Sequence, residues 1–377
     1  MALKRGLVAC DKFKGSLTAR QVRDAVVAGF EDAGLAAEGV LVADGGDGTL
    51  DAVMSAGFAL EPVTVQGPTG QPVTTGVARR GGVAVVELAD ACGLNRLPRG
   101  RLAPLAATSF GLGQAIRAAL AATTTERLIV GAGGSASSDG GIGMIAGLGG
   151  ALRDATGLKL PPTPESLASG VTLDLAPIRP LLAGREIVLA SDVAAPLLGH
   201  AGAVAVFGPQ KGLTGQDAVD RERRLEAWAD LVAATCGCDL RDRPGAGAAG
   251  GVGFAAAALL GARLVPGVDL VLELTGFREA VSRATLVVTG EGLLDAQTLL
   301  GKTVAGVARA ARAAGVPTVA LCGASHITPS QARTLGLARV YPLTDLEPDP
   351  VCSLHDADRL VRATARRVAL HHLDSLV

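Results

Sequence analysis

Aromatic residues make up 2% of the 377-residue chain, as seven Phe, one Trp and one Tyr. So thin a supply removes the stacking platforms on which single-stranded nucleic acids are held. An excess of one charge is missing too: 35 Lys and Arg stand against 36 Asp and Glu. No global field therefore draws the chain to nucleic acid or anionic lipid, and neither is expected as a partner. No apolar run reaches transmembrane length, and the N-terminal MALKRGLVACDKFKG lacks the long apolar core of a signal peptide. The expected location is cytoplasmic. The six cysteines at 10, 92, 236, 238, 322 and 352 are scattered, and the one close pair, Cys236 and Cys238, has a spacing that suits neither CxxC redox chemistry nor paired zinc ligation. They read as reduced, mostly buried thiols. Of five histidines only His326 falls near an expected strand end, which argues against zinc chemistry.

What is abundant is small and apolar. Hydrophobic residues are 49% of the chain and glycine contributes 51 residues, enough for two domains with substantial cores. Leu7 to Cys10 reads as a strand ending in Asp11, and Thr18 as the cap of a helix from Ala19 to Phe30 with apolar residues at 22, 26, 27 and 30. A second strand, Val40 to Ala43, leads through DGGDGT into a helix, Leu50 to Ala56. From Pro62 the texture changes to β-branched and polar alternation around Gly-Pro and Gly-Gly turns, as antiparallel hairpins require. Further on come a helix from Phe110 to Ala121, a strand from Ile187 to Ala190, and a long charged helix through DRERRLEAWADLVAAT. Strand and helix alternation resumes with Leu286 to Val288, then a helix Val304 to Ala314, strands Thr318 to Cys322 and Arg339 to Leu343, and a terminal helix from about Asp356. Both ends of the chain thus alternate β and α around a hairpin-rich middle. The expected fold is α/β with two domains: an open parallel sheet built from residues 1–61 plus 283–377, and an inserted mixed α/β domain over residues 62–282.

The stretch Arg127 to Gly143, RLIVGAGGSASSDGGIG, reads as strand, loop and helix start. Glycine has no Cβ and a helix's first turn has unpaired N–H donors, so such a loop can cradle a phosphate. The plain alternative is a tight turn in a glycine-rich protein. A recurrence elsewhere gives the loop weight. Asp11, Asp44, Asp192 and Glu291 each follow an apolar run, with Asp47, Asp139 and Asp295 close by, and in open α/β sheets ligands bind beyond the carboxyl ends of the strands. Any single one of these acids reads equally as a turn former or helix cap. Together they would repel a phosphate by about 1 kcal/mol per charge pair at 4 Å in water, which a divalent cation relieves. Magnesium, usually held by one or two carboxylates and substrate phosphates, suits the set. Lys14 and Lys302 in glycine-flanked loops are candidates for neutralising phosphate or a carboxylate, whereas Lys211 reads as a surface lysine.

Several familiar motifs are excluded. Gly301-Lys302-Thr303 resembles the tail of a P-loop, but Ala296 stands where its first glycine belongs. Gly245, Gly247 and Gly250 make a G-x-G-x-x-G, but polar CDLRDRP precedes it where a dinucleotide fold needs an apolar strand. No serine sits in a nucleophile elbow with a matching histidine. Phosphoryl transfer fits best.

Seven motifs in order, CDKFKGSLTA, ADGGDGT, GAGGSASSDGG, ASDVAAPLLG, GPQKG, PGAGAAGGVGF and TGEGLLDAQT with its following GK, closely resemble the type I glycerate kinase family nearly end to end. The resemblance implies a kinase, with ATP as co-substrate and Mg2+ as cofactor, that phosphorylates glycerate to 2-phosphoglycerate. It also implies a discontinuous flavodoxin-like domain with an inserted α/β domain and an interdomain cleft. Four positions depart from the family pattern: Lys12 for Ser, Asp47 for Glu, Ala195 for Asn and Leu293 for Arg. Asp47 keeps its charge with a shorter reach, while the last two remove polar groups. Within the resemblance, Asp192 is the expected general base, with Lys14 beside it as a charge-balancing catalytic candidate. Asp44, Asp47, Glu291 and Asp295 are the expected metal ligands, and Gly133, Gly134, Ser135, Ser137 and Lys302 are expected to surround phosphate. Asp139 and Asp11 are assigned to the metal or substrate side, with the Ser135 loop facing Asp44 and Glu291. Two other classes stay open: a non-catalytic phosphometabolite-binding relative of kinases, and a dinucleotide oxidoreductase should a strand precede Gly245.

Overall fold

The computed structural model describes residues 4–374. Its chain divides into two compact units, one running to Asp44, through Asp51–Ala56 and onward from Val268, the other comprising Gly45–Leu50 and Gly57–Gly267. The chain opens with β1 (Arg5–Cys10) and β2 (Ala36–Gly39). The second unit then carries β3 (Ala59–Gln66), β4 (Pro72–Arg80), β5 (Val83–Glu87), β6 (Arg127–Gly131), β7 (Ala151–Arg153), β8 (Thr172–Asp174), β9 (Glu186–Ala190) and β10 (Arg263–Val265). The first unit closes with β11 (Leu286–Leu294), β12 (Thr318–Ser325) and β13 (Leu337–Pro342).

In the first unit the order β13-β12-β11-β1-β2 is parallel throughout. Renumbered within the unit, this is 2-1-3-4-5, the flavodoxin-like order, whose switch point lies between β1 and β11. Period-two alternation along the strands explains why both faces are covered. Val8 and Cys10 face a cluster with Val22, Val26 and Phe30 of the helix Ala19–Glu31 and with Leu360, Val361 and Val368 of the helix Ala357–Asp374. Leu7 and Ala9 face Val268, Leu272, Phe277, Val307 and Ala311 on the other side. Thr18 caps its helix through a reciprocal pair with Gln21, as a capping box should.

Two strand expectations need correction. Val40 to Ala43 is not a strand: the ladder to β1 runs through Ala36–Gly39 and stops after Val40 N donates to Val8 O. Leu41 and Ala43 are buried instead against Ala52 and Val271, so their apolar character reports side-chain packing rather than strand pairing. Conversely, the strand expected over Leu286 to Val288 does not end before TGEGLL. β11 continues through it, pairing Glu291 with Cys322 and Leu293 with Ala324, which sets Glu291 on a rigid element.

The second unit is built on a six-stranded sheet ordered β10-β9-β6-β5-β4-β3. β10, β9, β6 and β5 are parallel neighbours, whereas β5-β4-β3 are antiparallel, the hairpins that the texture after Pro62 predicts. β7 and β8 form a separate antiparallel pair. A large apolar cluster in this unit joins Val86, Leu128 and Leu189 of the sheet to Leu112, Ile116, Ile145, Trp228 and Phe254 of the helices. The helices Phe110–Ala121 and Ile142–Leu148 touch backbone to backbone. A Cβ on Gly113 would stand 2.1 Å from Met144 O, and one on Gly147 would stand 2.1 Å from Phe110 O, so glycine is required at that crossing.

All six cysteines are free: Cys10, Cys92 and Cys322 are buried, Cys236 is half-buried, and Cys238 and Cys352 are exposed. No helix among the described residues is long and apolar enough to cross a membrane.

Candidate functional site

In the first unit the expected acids collect at the carboxyl ends of the strands around the switch point. Asp11 leaves β1 with its N–H on Gly290 O. Its Oδ1 accepts from Lys12 N at 2.7 Å and its Oδ2 from Thr303 Oγ1 at 2.8 Å. Burial holds the Asp11 carboxyl above the usual range, and the neighbouring Asp44 carboxylate adds to this, against the opposing pull of Lys12 N–H, Thr303 and the Lys12 charge. Glu291, on β11, accepts from Thr298 Oγ1 at 2.6 Å. It too is pushed up, first by burial, with Asp11 and Asp295 adding repulsion and Lys302 opposing. Asp295 opens the next turn, with Oδ1 accepting from Gln297 N at 2.8 Å. Lys302, a phosphate candidate, spends a proton on Gln297 Oε1 at 2.7 Å. Lys14 is exposed, and its loop lies against β11: a Cβ on Gly292 would stand 3.3 Å from Lys14 N. Among the described residues no three His, Cys, Asp or Glu side chains gather as a metal cage.

In the second unit the loop after β6 is held from several sides. Gly133 N donates to Gly45 O at 3.4 Å, and a Cβ on Gly133 would come within 2.4 Å of Gly46 Cα, so two glycine motifs distant in sequence meet backbone to backbone. Leu94 N donates to Gly134 O and Ala136 N to Cys92 O, each at 3.0 Å. Gly134 itself is exposed, while Ser135, Ser137, Ser138 and Asp139 are buried.

Asp139 anchors this loop. Its carboxylate accepts from Ser109 N at 2.8 Å, Ser109 Oγ at 2.9 Å, Thr108 Oγ1 at 3.2 Å, Gly141 N at 3.1 Å and Gly143 N at 3.2 Å. Ser109 precedes the helix Phe110–Ala121 and Gly141 the helix Ile142–Leu148, so one carboxylate satisfies the first donors of both helices and sits at their positive ends.

Asp192 lies beyond β9, half-buried, with Oδ1 accepting from Gly267 N at 2.8 Å. Ala195 contributes a backbone carbonyl to Gly247 N at 2.9 Å. The segment between Cys236 and Gly245 forms no strand, so the condition for a dinucleotide loop at Gly245 to Gly250 is not met.

Two groups missed by sequence reasoning stand out. Glu87 ends β5, 4% exposed, and accepts from Gly48 N at 3.3 Å and Leu50 N at 2.9 Å. It thereby holds the segment that carries Asp47, which is itself exposed. Burial pushes its carboxyl up to about 7, with Leu50 N–H opposing and Asp47 adding. The signal was present, since Glu87 closes an apolar run as Asp11 does. Lys211 is no surface lysine: it is buried beneath the loop, with Nζ donating to Ser135 Oγ at 2.7 Å and to Ser137 O at 2.6 Å.

The chain matches the Glycerate kinase family over residues 6–372. It belongs to that family. Glycerate kinase of Bacillus subtilis (strain 168) is 42% identical over 323 residues, 84% of each chain. Glycerate 2-kinase of Escherichia coli (strain K12) is 38% identical over 322 residues, again 84% of each. A solved structure, assigned as glycerate kinase 2 from Salmonella typhimurium LT2, superposes with a TM-score of 0.84 at 35% identity and covers 99% of both chains. Family membership makes the chain one of a set of phosphotransferases and closes the oxidoreductase alternative.

Proposed function

We propose that the chain transfers the γ-phosphoryl group of ATP to a hydroxyl of glycerate, giving 2-phosphoglycerate, with Mg2+ as the metal. The observation that carries the reading is the placement of Asp11 and Glu291 at the switch point of a parallel sheet in a member of the glycerate kinase family. Phosphoryl transfer asks mainly for positioning and charge neutralisation. Asp192 takes the role of general base for the glycerate hydroxyl, since a carboxylate accepts a proton and its Oδ1 contact with Gly267 N fixes the side chain's direction. Gly133, Gly134, Ser135 and Ser137 surround phosphate, while Lys14 and Lys302 balance charge.

The donors present fit magnesium. They are hard carboxylate oxygens, and among the described residues Glu291 Oε2 accepts no hydrogen bond while Oε1 is taken by Thr298. Glu291 and Asp295 would hold the ion, with Asp44 and Asp47 as further or water-mediated ligands, in the one- or two-carboxylate manner usual for magnesium in kinases. Bound there, the ion would neutralise phosphate oxygens as charge develops on them. Asp139 supports this reading as the loop's anchor rather than as a ligand.

The test is ADP release coupled to a reporter, with ATP and glycerate, with and without Mg2+, followed by 31P NMR of the product. Glycerate-dependent, Mg2+-dependent ADP release with phosphate on the 2-hydroxyl is the expected result. Nucleotide binding without ADP release would instead favour a non-catalytic relative, an idea supported by the apolar Ala195 and by Leu293, whose side chain is 40% exposed.

A further inference from the structure

Lys211 is a buried ammonium whose contacts are all to neutral oxygens. It ends the turn Pro209–Lys211, is 3% exposed, and among the described residues forms no ion pair. Its two hydrogen bonds go to neutral oxygens, Ser135 Oγ and Ser137 O. The charged group acting on it is Asp139, whose oxygens are engaged by the two helix starts. Beside it, the hydroxyls of Ser137 and Ser138 are 0% and 2% exposed and have no hydrogen-bond partner among the described residues. Burying a charge without its partner costs several kcal/mol, and unsatisfied buried hydroxyls add to that. A cation beneath one loop and two unpartnered hydroxyls on it describe a site whose anion comes from outside the protein.

The chemistry of the lysine contact gives the loop a direction. An ammonium has three donors and no acceptor, so Ser135 Oγ must accept from Lys211 and point its own proton elsewhere. We propose that Lys211 is a positioning residue for an oxyanion site in the loop Gly133–Ser138, holding Ser135 as a hydrogen-bond donor away from the lysine and supplying positive potential for a phosphate or carboxylate group. The inference rests on the phosphoryl-transfer reading and deepens it: there the loop makes the contact, and here the lysine beneath sets the loop's polarity. Burial lowers the Lys211 pKa to about 8, with Asp139 opposing. Above that pH the neutral amine offers a lone pair, Ser135 can turn its proton inward, and the site loses both a donor and a charge.

The experiment measures kcat and the KM values for ATP and for glycerate separately, from pH 6.5 to 9.5, for wild type, Ser135→Ala, Lys211→Met and the double variant, with folding checked by circular dichroism. One of the two wild-type KM values should rise about tenfold between pH 7 and pH 9, as a single deprotonation near 8 requires. A rise in the ATP arm assigns the anion to phosphate, and one in the glycerate arm assigns it to carboxylate. Ser135→Ala, which loses only a hydroxyl, should raise the same KM about tenfold at pH 7, the worth of a charge-assisted hydrogen bond, and shrink its rise with pH. Because Lys211 acts in part through Ser135, the double variant should lose less than the two single losses combined. Folded Ser135→Ala with both KM values within twofold of wild type, or additive losses in the double variant, would overturn the proposal. If wild type phosphorylates no glycerate, the functional reading fails and the site is read by calorimetric titration with inorganic phosphate at pH 7 and 9. Binding at pH 7 that weakens at pH 9 and in Ser135→Ala upholds it, and absence of binding overturns it.

Discussion

At the carboxyl ends of β1 and β11 in the first unit, burial and neighbouring acids hold Asp11 and Glu291 above the ordinary carboxylate range. In the loop after β6 of the second unit, burial holds Lys211 below the ordinary lysine range. Each shift marks a charge that the surrounding protein does not fully compensate, and the signs are opposite. Desolvation leads on both sides, with Asp44 and Asp295 adding to it in the acidic region and Asp139 opposing it at the serine loop. The contrast teaches that the two regions bury charges of opposite sign, a feature that residue types alone do not reveal because burial is set by the fold. Asp139 is the internal control: it is as buried as Lys211, yet five protein donors meet it.

The largest effect expected is on chemistry. Asp192→Asn should lower kcat by about a hundred- to ten-thousand-fold, the range of general base catalysis, with KM values little changed. Turnover within a few-fold of wild type would remove Asp192 from that role. Next is the anchor. Asp139→Ala strands the donors of two helix starts and should destabilise the protein by about 3–5 kcal/mol, read by urea unfolding. A loss below 1 kcal/mol would mean that Asp139 is not the structural member of the comparison. The smallest effect concerns Lys211. Its pKa falls on folding, so the folded state binds fewer protons than the unfolded chain between about 8 and the unshifted 10.5. The cost of burial is therefore fully present below pH 8 and fades as pH rises through that window. Wild type should accordingly gain up to about 3 kcal/mol of stability relative to Lys211→Met as pH rises from 7 to 10.5. Equal pH slopes for wild type and Lys211→Met over that window would show that the ammonium is compensated after all.

Much of the architecture was legible because it rests on periodicity. The alternation of Leu7 and Ala9 with Val8 and Cys10 serves two covered sheet faces, and the β-branched texture after Pro62 gives the hairpins β3 to β5. The pattern misled where burial and pairing part company, as in Leu41 to Ala43, and where polar residues continue a strand because one neighbour extends alongside them, as in β11 against β12. At the candidate site, acids at strand ends pointed to Asp11 and Glu291, and the same rule reaches Glu87, whose work is to hold Gly48 and Leu50 from a distant strand. Lys211 was illegible for a different reason. GPQKG looks like a surface turn, and only the three-dimensional path brings a residue 76 positions away from Ser135 beneath its hydroxyl. Asp139 shows the converse: its spacing suggested a ligand, but its partners Thr108 and Ser109 lie about thirty positions earlier in the chain.

The most direct measurement of the central claim is calorimetric titration of ADP into wild type and Glu291→Gln, with and without Mg2+. On the present account Mg2+ tightens ADP binding to wild type by about tenfold or more, as a shared carboxylate–phosphate ion should. In Glu291→Gln that gain should largely disappear while metal-free binding persists. Equal affinity with and without Mg2+ in wild type, or an undiminished Mg2+ effect in Glu291→Gln, would contradict the claim that the strand-end carboxylates await a metal-bound phosphate.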